Sequence, residues 1–66
     1  MQIQLNGESH DLGRAQTVAE LIESLGLGGR RIAVELNEDI VPRSQHSETR
    51  LAAGDSVEIV HAIGGG

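Results

Sequence analysis

The sequence predicts an α+β fold in which one main helix lies across one face of a mixed sheet of four to five strands. Three observations lead there. Stretches of alternating apolar and polar residues open and close the chain, a capped amphipathic helix lies between them, and turn residues punctuate the remainder.

At the start, Met1, Ile3 and Leu5 alternate with Gln2, Gln4 and Asn6, the period of a half-buried strand. Asn6-Gly7 then predicts a hairpin, because a type I′ turn needs positive φ at both central residues. Folding back across it sets Leu5 against Glu8, Ile3 against His10 and Met1 against Leu12. His10 therefore faces the core side, where an imidazole packs as an amphipathic ring at the margin.

In "TVAELIESLG", Thr17 and Glu20 have capping-box spacing, with Thr17 at the N-cap and Glu20 at N3. Val18, Leu21, Ile22 and Leu25 form one helical stripe, and Gly26 supplies a left-handed stop. Glu20 and Glu23 read as a solvated face. "GLGGRR" is glycine-rich enough to be tested as a phosphate loop, and it fails. It follows a helix, precedes a strand and has no Lys, so it is a connecting loop.

"RIAVEL" puts Ile32, Val34 and Leu36 on one face of a third strand. Asn37-Glu38-Asp39 is turn chemistry. Ile40-Val41 is a short strand that Pro42 ends or confines to an edge. "SQHSETR" is polar, with room for a single helical turn. Gly54-Asp55 turns the chain into the last strand, "SVEIVHAI". There Val57, Ile59, His61 and Ile63 point one way, while Glu58, Val60 and Ala62 point the other. This strand is the most apolar and is placed centrally, beside the first and parallel to it. The intervening helix supplies the long crossover that parallel neighbours require. That order is a β-grasp arrangement, with residues 1–62 as the domain and 63–66 as a glycine-rich tail.

Composition narrows the chemistry. A chain of 66 residues buries only about 60% of its unfolded surface, which leaves little room for a deep enclosed site. It has no Cys, so a disulfide framework, a thiol nucleophile and a thiolate metal site are all excluded. It has no Phe, Tyr or Trp on which single-stranded nucleic acid could stack, and its net charge of −5 disfavours polyanions. All five basic residues are Arg, so no side-chain amine is available for isopeptide or Schiff-base chemistry. No leader pattern and no membrane-length apolar run occurs, and the expected location is the cytoplasm.

His10, His46 and His61 fall on separate elements without metal-binding spacing, so no metal site is expected. His61 lies beside the tail, where it is either an electrostatic aid to a reacting terminus or a half-packed strand residue. The serines lack a nucleophile elbow. What remains is the end of the main chain. A carboxylate becomes an electrophile only after activation, for example as an acyl-adenylate. Ala62 to Gly66 could reach at most ~17 Å into a partner, and glycines would keep that reach thin. A delivery arm and a frayed end both fit these residues. Val60, Ala62 and Ile63 lie next to that end, and Val60 with Ala62 forms an outward apolar strip suited to a partner.

The whole chain resembles the ubiquitin-like proteins, and within them the thiamine-pathway sulfur carriers, the ThiS family. The likeness rests on "MQIQLNG", "QTVAELI", "NEDIVPR" at 37–43, "GDSVEIV" at 54–60 and the terminal glycines. Three glycines end this chain where two suffice for the family pattern.

The resemblance implies that Gly66 is adenylated by an E1-like, ThiF-type enzyme, with Gly64 and Gly65 threading that partner's channel. ATP would be used by the partner, and no cofactor would be bound here. A sulfur donor protein would convert the adenylate to a thiocarboxylate, and a ThiG-type thiazole synthase would take the sulfur. On this view the chain is a carrier and not an enzyme. The small subunit of molybdopterin synthase is a similar carrier, but such chains tend to be longer and to carry aromatic residues. A ubiquitin-like protein modifier and an inert interaction domain are the other readings.

Overall fold

The computed structural model describes residues 1–61. Strands β1 (Gln2–Leu5) and β2 (Glu8–Asp11) form the opening hairpin, and α1 (Val18–Ser24) follows. Strands β3 (Ile32–Leu36) and β4 (Asp39–Val41) form a second hairpin, a short 3-10 turn covers Arg43–Gln45, and β5 spans Ser56–His61. The sheet order is β2-β1-β5-β3-β4. β5 is central, parallel to β1 and antiparallel to β3, as the β-grasp arrangement requires.

The first hairpin has the expected register, with Ile3 opposite His10 and Leu5 opposite Glu8. Asn6 and Gly7 have φ of 50° and 83°, the left-handed pair of a type I′ turn. Beyond β2, the Asp11 Oδ1 accepts a hydrogen bond from Gly13 N–H at 2.9 Å. That bond, with the Met1 ammonium and His10 nearby, holds the Asp11 carboxyl below the ordinary aspartate range.

Helix α1 starts where the capping box places it. The Thr17 hydroxyl accepts from Glu20 N–H at 3.1 Å, and the Glu20 carboxylate accepts from Thr17 N–H at 3.1 Å. Gly26, at φ 74°, follows the C-cap Leu25. Val18, Leu21 and Ile22 are buried against Ile3, Val34, Val57 and Ile59 of the sheet, while Leu25 packs at the margin. The polar segment after the 3-10 turn does more than connect. Val18 N–H donates to Thr49 C=O and Leu51 N–H donates to Gln16 C=O, so the segment is stitched to the helix start and buries Leu51.

One boundary differs from the sequence expectation. Asp39 belongs to β4, opposite Leu36, so the turn has only two residues, Asn37 and Glu38. Their φ values of 50° and 74° make a second left-handed turn. Asn tolerates this region, whereas Glu offers no local compensation. Its sequence carries no glycine, which is why the turn reads as three residues instead of a tight pair.

A left-handed residue with a Cβ costs roughly 1–2 kcal/mol. Glycine's extra freedom in the unfolded chain takes back about 0.5–1 kcal/mol. Glu38→Gly is therefore expected to raise stability by about 0.5–1 kcal/mol. The check is a higher urea midpoint at unchanged m value. An unchanged or lower midpoint would mean that the Glu38 side chain already compensates its backbone.

Candidate functional site

The site is built around the departing end of β5. On its inward face, Val57 and Ile59 are buried in the core. On its outward face, Glu58 and Val60 are exposed, Val60 at 57%. Alternation along a strand thus gives one side to packing and the other to solvent. Register sets Val60 beside Ala33, and Glu58 beside Glu35, on the sheet surface that α1 leaves uncovered. Glu35 also faces Ile40 of β4, whose side chain is 73% exposed. The uncovered surface therefore combines apolar Val60, Ala33 and Ile40 with two opposed carboxylates.

Sequence phase alone puts Val60 on this surface, and the structure agrees. The Glu35–Glu58 pairing was not read from the sequence, because it depends on cross-strand register. Both residues do occupy the outward phase of their strands, which is the signal that could have found them. Of the other residues singled out, Ala62, Ile63, Gly64, Gly65 and Gly66 lie outside the described residues.

The histidines do not converge. His10 is half-buried on β2. His46 places Nε2 3.1 Å from the Val41 carbonyl oxygen. His61 ends β5 opposite Ile32, exposed. Among the described residues, no group of three or more His, Asp or Glu side chains could hold a metal ion. Among the described residues, the surface depressions enclose no ligand-sized space. One of about 290 Å³ lies between Leu5, Leu25, Leu27, Ile59 and His61, and another of about 280 Å³ lies along the first hairpin. Both are open to solvent, unlike the concave sites that bury most of a small ligand. Among the described residues, no helix is long and apolar enough to cross a membrane.

A central strand that ends beside an open, acidic and partly apolar sheet face can present a chain end to another protein. Similarity to known proteins shows the family of the chain. The model of the ThiS family matches residues 3–66. The chain belongs to the ThiS family. The sulfur carrier protein ThiS of Escherichia coli is 35% identical over 66 residues, with both chains covered completely. That of Bacillus subtilis is 35% identical over 68 residues, covering 97% of this chain and 98% of that protein. A thiazole synthase of Paramagnetospirillum magneticum is 41% identical over 66 residues, although this chain spans only 20% of that protein's length. The crystal structure of the thiamine biosynthesis protein ThiS from Geobacter metallireducens superposes with a TM-score of 0.85 at 30% identity, with both chains fully covered. The fold is that of the ubiquitin-like β-grasp proteins.

Like charges placed directly opposite on paired strands are destabilising, by roughly 0.2–1 kcal/mol. Glu58→Gln is expected to raise the stability of this ThiS-family chain by a few tenths of a kcal/mol, about the lower part of that range. The gain should shrink as salt screens the pair. Urea unfolding at low and high ionic strength checks it. A salt-independent gain would show that the repulsion is not its source.

Proposed function

We propose that this chain is a sulfur carrier of thiamine biosynthesis and not itself a catalyst. Its reacting group is the Gly66 carboxylate. One observation carries the reading: in a ThiS-family chain, the strand that leads to the glycine-rich end is the central one. It is paired with β3 through His61. The work is cytoplasmic, in keeping with a chain that has no Cys.

In this reading the Gly66 carboxylate attacks the α-phosphorus of ATP in an E1-like partner. The P–O bond to the leaving pyrophosphate breaks, and an acyl-adenylate forms. The terminal sulfur of a donor persulfide then attacks the acyl carbon and AMP leaves. A thiol supplies two electrons to cleave the resulting acyl disulfide, leaving a thiocarboxylate. Thiazole synthase is the acceptor that the names of two relatives suggest. The chain's own part is to present the terminus. Gly64 and Gly65 contribute a backbone without Cβ atoms that a narrow channel would admit. Val60, with Ala62 and Ile63 beyond it, offers the apolar centre of the docking surface. The Glu35–Glu58 carboxylates favour a partner that brings a basic side chain.

Incubation with an activating enzyme, ATP and a sulfur donor should exchange one oxygen for one sulfur at Gly66. Fragment-ion mapping that put the sulfur on an internal residue would overturn the assignment. Gly65→Val should slow single-turnover adenylation by roughly 100-fold, the cost of a displacement of about 1 Å. Its unfolding midpoint should not move. Adenylation at the wild-type rate would mean that no narrow channel receives the tail.

Val60→Asp tests docking separately. Its stability should stay within about 0.5 kcal/mol, as for surface changes generally. Its affinity for the activating enzyme should fall more than a rim charge would cause. Unchanged affinity for both the activating enzyme and thiazole synthase would leave Val60 without a role in docking.

A further inference from the structure

We infer that Asn6 is a positioning residue for the reaction at the chain's end: its side chain fixes β5 two residues before the end of the strand. This inference rests on the carrier reading above. The parallel pairing of β1 with β5 comprises only Gln4 with Ser56 and Leu5 with Val57. Backbone bonds from Gln4 N–H to Asp55 C=O, at 2.8 Å, and from Asn6 N–H to Val57 C=O, at 2.9 Å, complete it. At Asn6 the backbone turns away into the hairpin, with φ of 50°. Strand β5 runs on through Glu58, Ile59, Val60 and His61 without β1 beside it.

The Asn6 side chain takes the place of the missing strand. Its Oδ1 accepts from Ile59 N–H at 2.8 Å, and its Nδ2 donates to Ile59 C=O at 3.2 Å. A primary amide presents one carbonyl acceptor and N–H donors in a plane, so it stands in for the next peptide group of β1. The partners are 53 residues apart in sequence, so the contact closes the fold. Two demands meet at this position. The backbone must sit in the left-handed region, and the side chain must both donate and accept. Asn meets both; Gly meets only the first, and Asp lacks the donor.

The strand's other end has a comparable contact with a different consequence. Asn37 Oδ1 accepts from Ser56 N–H at 2.9 Å, and Asn37 Nδ2 donates to the Asp55 carboxylate at 3.1 Å. Asn37 likewise sits at φ 50°. It holds the start of β5, whereas Asn6 holds the half of β5 nearer the C-terminus. Removing either costs hydrogen bonds, but only Asn6 should alter where the terminus arrives.

The experiment compares wild type, Asn6→Gly and Asn37→Gly, since glycine keeps each turn and removes each amide. Two quantities are read: hydrogen exchange of the Ile59 amide, and kcat and KM for adenylation by an E1-like enzyme with ATP. Asn6→Gly is expected to lose Ile59 protection and about 10- to 100-fold in kcat. Its KM should change little, the mark of a group that acts through orientation. Asn37→Gly should keep both Ile59 protection and kcat. Wild-type kcat for Asn6→Gly overturns the inference, and so does an equal loss of kcat in Asn37→Gly, which would indicate general loosening. Should Asn6→Gly not fold, Asn6→Asp keeps the acceptor for Ile59 N–H and loses only the donor. It must then show a reduced kcat for the inference to stand. If wild type itself is not adenylated, the carrier reading fails and this inference falls with it. A wild type that reacts beside an Asn6→Gly that reacts equally well sinks the inference alone.

Discussion

The contact on which the rest of the structure depends is the parallel pairing of β1 with β5. Parallel neighbours cannot be joined by a tight turn, so the chain must travel from one to the other by a crossover. Here that crossover carries α1, and its buried face of Val18, Leu21 and Ile22 fills the space above Ile3, Val34, Val57 and Ile59. The topological demand and the core are met by the same residues. Because the sequence has no aromatic side chains, branched aliphatic ones do the filling. Such a core is thin, and it has no interior to spare for a reacting group.

Strand β5 divides its labour by alternation. Val57 and Ile59 are bound into the core, where truncation of a large aliphatic side chain typically costs about 2–5 kcal/mol. Glu58 and Val60 face solvent, where substitutions usually stay within about 0.5 kcal/mol. The outward face can therefore change without disturbing the packing on the other. The opposed Glu35 and Glu58 fit this division, since a modest repulsion at the surface leaves the buried cluster intact.

What the sequence made legible is local. The Asn6-Gly7 turn, the Thr17–Glu20 capping box and the alternation in β1 and β5 each announce themselves within a few residues. Each is found where expected. What escaped depends on distance or on strain. The bond between Asn6 and Ile59 spans 53 positions, and a sequence pattern assigns Asn6 only its turn. Glu38 adopts a left-handed conformation that its residue type disfavours, so nothing in its identity marks the second tight turn. Leu51 sits in a polar stretch and is buried because backbone bonds to Gln16 draw that stretch over the helix start. For the candidate site, the outward phase of Val60 was legible, while the carboxylate opposite Glu58 required the register.

The position of β5 within the sheet bears directly on what the chain can contribute to chemistry at its end. Nucleotide and sulfur donor are brought by partners in this reading, so the carrier's contribution is a defined point of departure. An edge strand is held on one side only, and the least supported backbone is the first to open. β5 is instead held by β3 on one side, through the pairing of Ile32 with His61. On the other side β1 holds it as far as Val57, and the Asn6 amide holds Ile59. Proximity effects reward a fixed origin, because angular error at an anchored residue is magnified with distance from it. A central last strand is thus more than a way to bury apolar residues. For a carrier, it is the arrangement in which the same hydrogen bonds that close a small fold would also aim its terminus.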